Sequence, residues 1–280
     1  MSIRFEGGRV ILRDEVVETD VTVAAGKIVA VGTAAPADHQ IDARGLTLAP
    51  ALIDVHGDAF ERQVMPRSKV FFPLDAALLE TDRQLAGNGI ATAYHALTLS
   101  WEPGLRSVQQ GAAFVQALSR LRSRMSVENR IQLRWETFAF EAVELIEKVL
   151  VGDLTPSLAF NDHTSMMIRA FDVPVQKRVF EQSPDFRIGD PKDPRMLGRV
   201  AGAARRAGLS PEDYLKALMG IWERRDAVDE TLKALAAKAR AVGAPMLSHD
   251  DTQLETRAYY RGVGAKISEF PMTQEVAEDC

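Results

Sequence analysis

The pattern of apolar and polar positions changes character near residue 49. Before it, short β-branched runs alternate with turns: Arg9-Val10-Ile11-Leu12, then Val21-Thr22-Val23, then Ile28-Val29-Ala30-Val31-Gly32. The glycine turn Ala25-Gly26-Lys27 between the last two runs predicts a β-hairpin. The stretch from Thr33 to Gln40, rich in Ala, Pro and Asp, reads as a loop. Nothing in residues 1–49 is long enough to build a core alone, so this segment is expected to be a small β fragment packed against something else.

From Leu48 onward, short apolar runs alternate with longer helix-like stretches. The runs are Ala51 to Val55, Ile90 to Tyr94, Ile131 to Trp135, Ser157 to Phe160, Pro245 to Ser248 and Lys266 to Phe270. Between them, Phe114, Leu118, Leu121 and Met125 share one helical face, as do Ala142, Leu145, Ile146 and Val149 before a stop at Gly152. Pro211 to Ala241 reads as two helices stopping at Gly243. Apolar strands alternating with helices predict an α/β fold with a parallel sheet covered on both faces. Residues 50–280 therefore form the second domain, with six strands. Asp172 to Gly198, rich in Pro, Asp and Arg, reads as an insertion, and a lid is expected near 172–243.

Composition narrows the class. The 280 residues are 46% hydrophobic and 26% charged, enough for a substantial core, and the formal charge is −5. An acidic balance argues against nucleic-acid or anionic-membrane partners recruited by net charge. The single cysteine, Cys280, excludes an internal disulfide and a Cys-rich zinc site. No signal-like or bilayer-length apolar stretch occurs, which leads to the expectation of a cytoplasmic protein. Nucleotide-binding Gly-rich loops, a dinucleotide fingerprint and a serine nucleophile elbow are all lacking.

Metal-type ligands fall at the ends of four of the runs. His56 and Asp58 follow the first, Glu136 the third, His163 the fourth and His249 the fifth. Parallel strands of a barrel bring their C-terminal ends to one rim, so ligands far apart in sequence can converge there. His56 and Asp58, two apart in an extended segment, would leave on the same side, and imidazole with carboxylate suits zinc, iron or manganese. Each residue alone reads as a packed or solvated side chain; three of the five histidines at strand ends favour a metal site. His39 reads as solvated, and His95 as packed or supporting.

The segment Leu48-Ala49-Pro50-Ala51-Leu52-Ile53-Asp54-Val55-His56 resembles the first barrel strand of the amidohydrolase superfamily, which reads Pro-Gly-Leu-Ile-Asp-x-His-x-His. Here Ala51 replaces the glycine and Asp58 the second histidine. With Pro66-Arg67, Leu133-Arg134-Trp135-Glu136, Asn161-Asp162-His163-Thr164, Ser248-His249-Asp250-Asp251 and Ile267-Ser268-Glu269-Phe270-Pro271, the chain resembles the branch that serves phosphonate catabolism. The resemblance implies a β-sandwich fragment beside a (β/α)₈ barrel, incomplete here, with two divalent transition-metal ions, zinc first and iron or manganese as alternatives. It implies that His56 and Asp58 bind one ion, His163 and His249 the other, and that Glu136 bridges. The implied reaction is hydrolysis of α-D-ribose 1-methylphosphonate 5-triphosphate to the 5-phosphate and pyrophosphate. The family's catalytic aspartate, at the eighth strand, is expected beyond Cys280, so the chain reads as a fragment or as one completed by a partner; a homo-oligomer stays open.

Arg62, Arg67 and Lys69 lie within a dozen residues of Asp58 and are candidates to bind a phosphorylated sugar, against the plain reading of a solvated charged loop. Asp250 and Asp251 read either as caps of the helix after His249 or as groups that orient a ligand histidine. Two other functions stay open: an amidohydrolase acting on a cyclic amide or aminated base, disfavoured by Asp58, and a truncated, non-catalytic homologue.

Overall fold

The computed structural model describes residues 1–33 and 35–280, and the chain divides into two compact units, Met1–Leu52 and Ile53–Cys280. Ala34, inside the expected loop from Thr33 to Gln40, lies outside the described residues, and that loop already gives way to strand at His39.

The first unit is a five-stranded sheet. Its strands are β1 (Ser2–Ile11), β2 (Val16–Ala24), β3 (Lys27–Val31), β4 (His39–Asp42) and β5 (Thr47–Leu48). The order is β3-β2-β1-β4, with β5 also on β1. β2 and β3 form the expected antiparallel hairpin, Ala24 opposite Lys27. Its two turn residues, Ala25 (φ 49°) and Gly26 (φ 74°), are both left-handed, the geometry whose twist matches the flanking strands.

The second unit alternates strands and helices. In chain order it contains β6 (Leu52–Gly57), α1 (Ala59–Val64), α2 (Leu74–Gly87), β7 (Ile90–Leu99), α3 (Val108–Leu121), β8 (Glu128–Glu136), α4 (Val143–Leu150) and β9 (Ser157–Asn161). Then come α5 (His163–Ile168), α6 (Pro194–Ala207), α7 (Pro211–Trp222), α8 (Val228–Ala241), β10 (Met246–His249), α9 (Leu254–Gly262), β11 (Ile267–Glu269) and α10 (Gln274–Asp279). The strands form one sheet in sequential order from β6 to β11, and the registers from β7 to β11 are parallel. All six anticipated runs are strands of this sheet.

The sheet curls. Along β8, Ile131, Leu133 and Trp135 face outward into the main apolar core, while Gln132, Arg134 and Glu136 face the concave side. Gln132 donates to Glu269 of β11 (2.6 Å) and to the Val55 carbonyl of β6 (3.2 Å), so one side chain spans the first and last strands. This is a half-barrel of the (β/α) type. Among the described residues nothing pairs the outer edges of β6 and β11, and Ile53, Val55 and Ile267 are exposed there.

Helices cover the convex face. Phe114, Leu118 and Leu121 of α3 are buried, as the periodicity requires, and Ser107 caps α3 by accepting from the Gln110 N–H. Gly111 lets α3 approach β7: a Cβ there would lie 2.3 Å from Leu99 Cδ2. Pro211 to Ala241 forms two helices, α7 and α8, and Gly243 after α8 is left-handed (φ 71°). Within 172–243 the helices divide by packing. α6 and α7 share an apolar cluster with Phe138 and Ile168, whereas Leu232, Leu235 and Ala236 of α8 join the main core beneath the sheet. No helix among the described residues is long and apolar enough to cross a membrane.

Candidate metal centre and adjoining cavity

Three histidines meet on the concave side at the C-terminal ends of β6, β9 and β10. The His56 and His249 rings lie 5.4 Å apart, and His163 and His249 5.8 Å apart. Two groups of ligand atoms form around them, each with all atoms within 4.8 Å of one another: His56, His249 and Glu269, and His163, His249 and Asp250. His249 belongs to both.

Local backbone geometry explains why these side chains converge. β10 and β11 are each followed by a residue held left-handed, Asp250 (φ 56°) and Phe270 (φ 54°), a conformation that strains most non-glycine residues. The sharp exit after His249 brings the Asp250 carboxylate back to His249 Nδ1 (3.0 Å) and within 3.7 Å of His163 Nε2. The Asp250 N–H donates to the Glu269 carbonyl (2.9 Å), tying the two strand ends together. Burial alone would raise the Asp250 carboxyl; the His249 hydrogen bond and charge outweigh it and hold it below the ordinary value.

His163 opens α5, whose first turn is capped by Asp162 accepting from the Ser165 N–H (2.9 Å). Glu136 accepts from the His163 backbone N–H (3.1 Å) and sits 2.5 Å from its Nδ1. Burial pushes the Glu136 carboxyl up, but the His163 charge and hydrogen bonds prevail and bring it to about 2. The Glu136 charge in turn raises His163, against the opposing effect of burial. With Nδ1 facing Glu136, His163 presents Nε2 to Asp250.

The donor chemistry fits a divalent transition ion. His56 Nδ1 and Glu269 Oε2 are buried without a hydrogen-bond partner, and His56 Nδ1 lies 3.1 Å from Glu269 Oε1 outside hydrogen-bonding geometry. Buried polar atoms are rarely left so, and imidazoles facing carboxylates are what zinc, iron or manganese take.

The anticipated residues divide. His56, His163 and His249 come together. Glu136 joins neither ligand group and is instead tied to His163. Asp58 also lies outside both groups and is exposed. β6 ends at Gly57, and Asp58 has already turned out of the extended conformation (φ −105°, ψ 2°), so the alternation that would align it with His56 no longer holds. Arg62, Arg67 and Lys69 are exposed. Ser68 beside them bonds the Arg205 carbonyl at the end of α6 (2.9 Å). Neither Asp250 nor Asp251 caps a helix, because α9 begins only at Leu254 with Gln253 before it; Asp251 instead accepts from Ser248 and Ser268, both at 2.5 Å. His95 is packed, as anticipated, bonding Asn129 (2.7 Å) with its ring edge-on to Phe60 and Phe114.

Glu269 was not anticipated as a ligand, although it sits inside the selective Ile267-Ser268-Glu269 segment. Nor was Arg134 given a role. It is buried with its Nη2 3.5 Å from His249 Nε2 and, among the described residues, no carboxylate bonded to it, and burial and repulsion from Arg106 lower its pKa. Next to Glu136 and His163 opens a cavity of about 320 Å³ between the ends of β7–β9 and helices α6 and α7. A larger cavity of about 640 Å³, beside Glu181 and Trp222, is lined by none of the histidines.

No family model matches the chain. Over 274 residues, 96% of the chain and 67% of the relative, it is 25% identical to the alpha-D-ribose 1-methylphosphonate 5-triphosphate diphosphatase of Escherichia coli (strain K12). Its fold is similar to that of an amidohydrolase from an environmental sample of Sargasso sea, with TM-score 0.51 at 15% identity over 95% of the chain and 56% of that structure. A D-hydantoinase structure aligns over 99% of the chain and 60% of its own length, with 19% identity and TM-score 0.43. The chain thus spans 56% and 60% of these two solved structures. In fold it resembles that amidohydrolase, and in sequence the named diphosphatase.

Proposed function

We propose that this chain carries the metal-binding part of a hydrolase that cleaves a phosphoanhydride of a phosphorylated ribose. The substrate we infer is α-D-ribose 1-methylphosphonate 5-triphosphate, with the 5-phosphate and pyrophosphate as products. The likeness to the named diphosphatase supports this choice of substrate. The observation that carries the reading is the convergence of His56, His163 and His249 with Asp250 and Glu269 at the C-terminal ends of parallel strands.

Two divalent ions, zinc being the first candidate, would lie against these two groups and supply Lewis-acid polarisation and charge neutralisation to a phosphoryl group. The chain's own residues set up that chemistry. Glu136 holds the His163 ring by Nδ1 and by the backbone N–H, which fixes the direction of Nε2. Asp250 lies against His249 Nδ1 and restrains that ring. Gln132 orients Glu269 by donating to its Oε1 (2.6 Å). Arg134, a guanidinium without a carboxylate partner beside His249, adds fixed positive charge where a phosphoryl group would lose its leaving pyrophosphate.

The test is metal analysis of the purified protein together with phosphorus NMR of the reaction. Stoichiometric transition metal and a pyrophosphate resonance are expected. Protein free of metal, or orthophosphate as the sole product, would refute the proposal.

A further inference from the structure

We propose that the cavity beneath α6 and α7 is a receptor for a phosphorus oxyanion, a phosphoryl or phosphonate group, held by Arg199, Arg206 and Thr98. This rests on the reading of the chain as a phosphohydrolase and names the surface that would bind the charged end of its substrate.

The cavity wall is rich in donors, and its acceptors are already used. Arg106 is paired through two hydrogen bonds to Glu61 (2.9 and 3.0 Å). Arg206 faces both oxygens of Glu102 (3.2 and 3.1 Å), and the Tyr214 hydroxyl donates to the same carboxylate (2.5 Å). Both oxygens of Glu102 are thus engaged, and its charge is balanced by the Arg206 guanidinium. Glu136, the other carboxylate on the wall, is taken up by His163.

Three donors are left over. Among the described residues Arg199 bonds only main-chain carbonyls, of Met167 (3.1 Å) and Arg169, and lies over the Phe171 ring (4.0 Å), so its charge has no anionic partner there. Arg206 Nε and Thr98 Oγ1 are buried and make no hydrogen bond, and Thr98 is 2% exposed. All three residues line the cavity. Arg206 Nε is a donor without acceptor capacity, so what satisfies it must bring lone pairs. A phosphorus oxyanion brings several on one centre and matches guanidinium geometry. At about 320 Å³ the space is near the small end of ligand pockets, suited to one charged group or two linked ones. The exposed Arg62 of α1 and Arg67 and Lys69 after it do not line it.

The anion has two possible sources, the polyphosphate end and the phosphonate end of the substrate, and calorimetry with inorganic pyrophosphate and with methylphosphonate on the metal-replete chain separates them. Whichever binds tighter is the end the cavity takes. Arg199→Met is expected to weaken that anion by about tenfold or more, the loss of a charge-assisted contact, and Arg199→Lys to recover part of it. Thr98→Val, which keeps the shape, is expected to cost about fivefold. The triple variant Arg62→Ala, Arg67→Ala, Lys69→Ala is expected to stay within about twofold, as befits exposed charges. Circular dichroism and thermal unfolding report whether each variant folds, and Thr98→Val remains decisive if Arg199→Met does not.

Wild-type protein binding neither anion at millimolar concentration would overturn the inference. So would Arg199→Met and Thr98→Val proteins that bind like wild type. Anion binding that depends on Arg199, in a protein that releases no pyrophosphate, would support the receptor while sinking the hydrolase reading.

Discussion

Replacing Tyr214 by phenylalanine tests how the cavity roof is held. Tyr214 is fully buried on α7, stacked at a tilt on Trp101 (5.1 Å between centroids), with its hydroxyl 2.5 Å from Glu102 Oε1. Burial, reinforced by the Glu102 charge, pushes the phenol far above its ordinary pKa, so it remains a donor throughout the working pH range. Phenylalanine preserves the ring and opens no cavity beyond one oxygen; what disappears is one hydrogen bond to a carboxylate. Such bonds contribute about 1.5–3 kcal/mol. Glu102 keeps Arg206 on both oxygens and is not orphaned, which places the loss toward the lower part of that range, about 2 kcal/mol. Urea unfolding at neutral pH should show this loss, and a cycle with Glu102→Gln should return a coupling of about 1 kcal/mol or more. Hydrogen exchange adds a spatial readout: amides of α6 and α7 should lose protection while those of β8 and β9 keep theirs. A loss under about 0.5 kcal/mol with no coupling would mean that the hydroxyl does not anchor the roof.

Three further outcomes follow from other parts of the structure. Because His249 belongs to both ligand groups and His56 to one, His249→Ala should lower bound metal, measured on purified protein by mass spectrometry, more than His56→Ala does. Glu181 is buried, and burial first, then the nearby Asp162 charge, raise its carboxyl well above 4.5. The folded chain therefore holds a proton that the unfolded chain releases, so this group's contribution to stability is greatest below pH 4.5, declines as pH rises toward the raised value, and levels above it. Urea midpoints measured from pH 5 to 8 should show that decline, and Glu181→Gln should flatten it. Gly111→Ala places a methyl 2.3 Å from Leu99 Cδ2, and overpacking of about 1–3 kcal/mol should exceed the gain of up to about 1 kcal/mol in helix propensity, lowering the thermal midpoint.

What could be read from sequence tracks how local its cause is. Strands, helices and the Ala25-Gly26 hairpin follow from periodicity and from turn residues that favour left-handed backbone, both short-range, and all six apolar runs became strands of one sheet. The three clustered histidines were legible because a parallel sheet turns sequence distance into a shared rim. Asp58 was read by strand alternation, which stops where β6 stops, one residue earlier. For Asp250 the sequence leaves two readings, a helix cap or a group that orients a ligand histidine; its carboxylate lies against His249, brought there by a left-handed backbone that no periodicity signals. Glu269 lies within the Ile267-Ser268-Glu269 segment, but nothing local marks it as a ligand, because what recruits it is the curl of the sheet, which brings β11 around to His56 and Gln132.

The cationic side chains show the same division most clearly. Arg62, Arg67 and Lys69 are dense in sequence and exposed in space, whereas Arg106, from the β7–α3 connection, shares one cavity with Arg199 and Arg206 of the distant helix α6. Linear density records where charge is easily solvated; a chain can crowd cations on a loop because water stabilises each of them separately. Bringing guanidiniums together beneath two helices requires partners that neutralise most of them, and Glu61 and Glu102 do this for two of the three. Those carboxylates lie 45 and 104 positions from the arginines they pair with. The matching therefore exists only after the β7–α3 connection and α6 have packed over the sheet. Arg199 is left over by that pairing, and a leftover cation beside the unpartnered Arg206 Nε and Thr98 Oγ1 selects for an anion more sharply than a uniformly basic loop, because only an incoming acceptor can complete them.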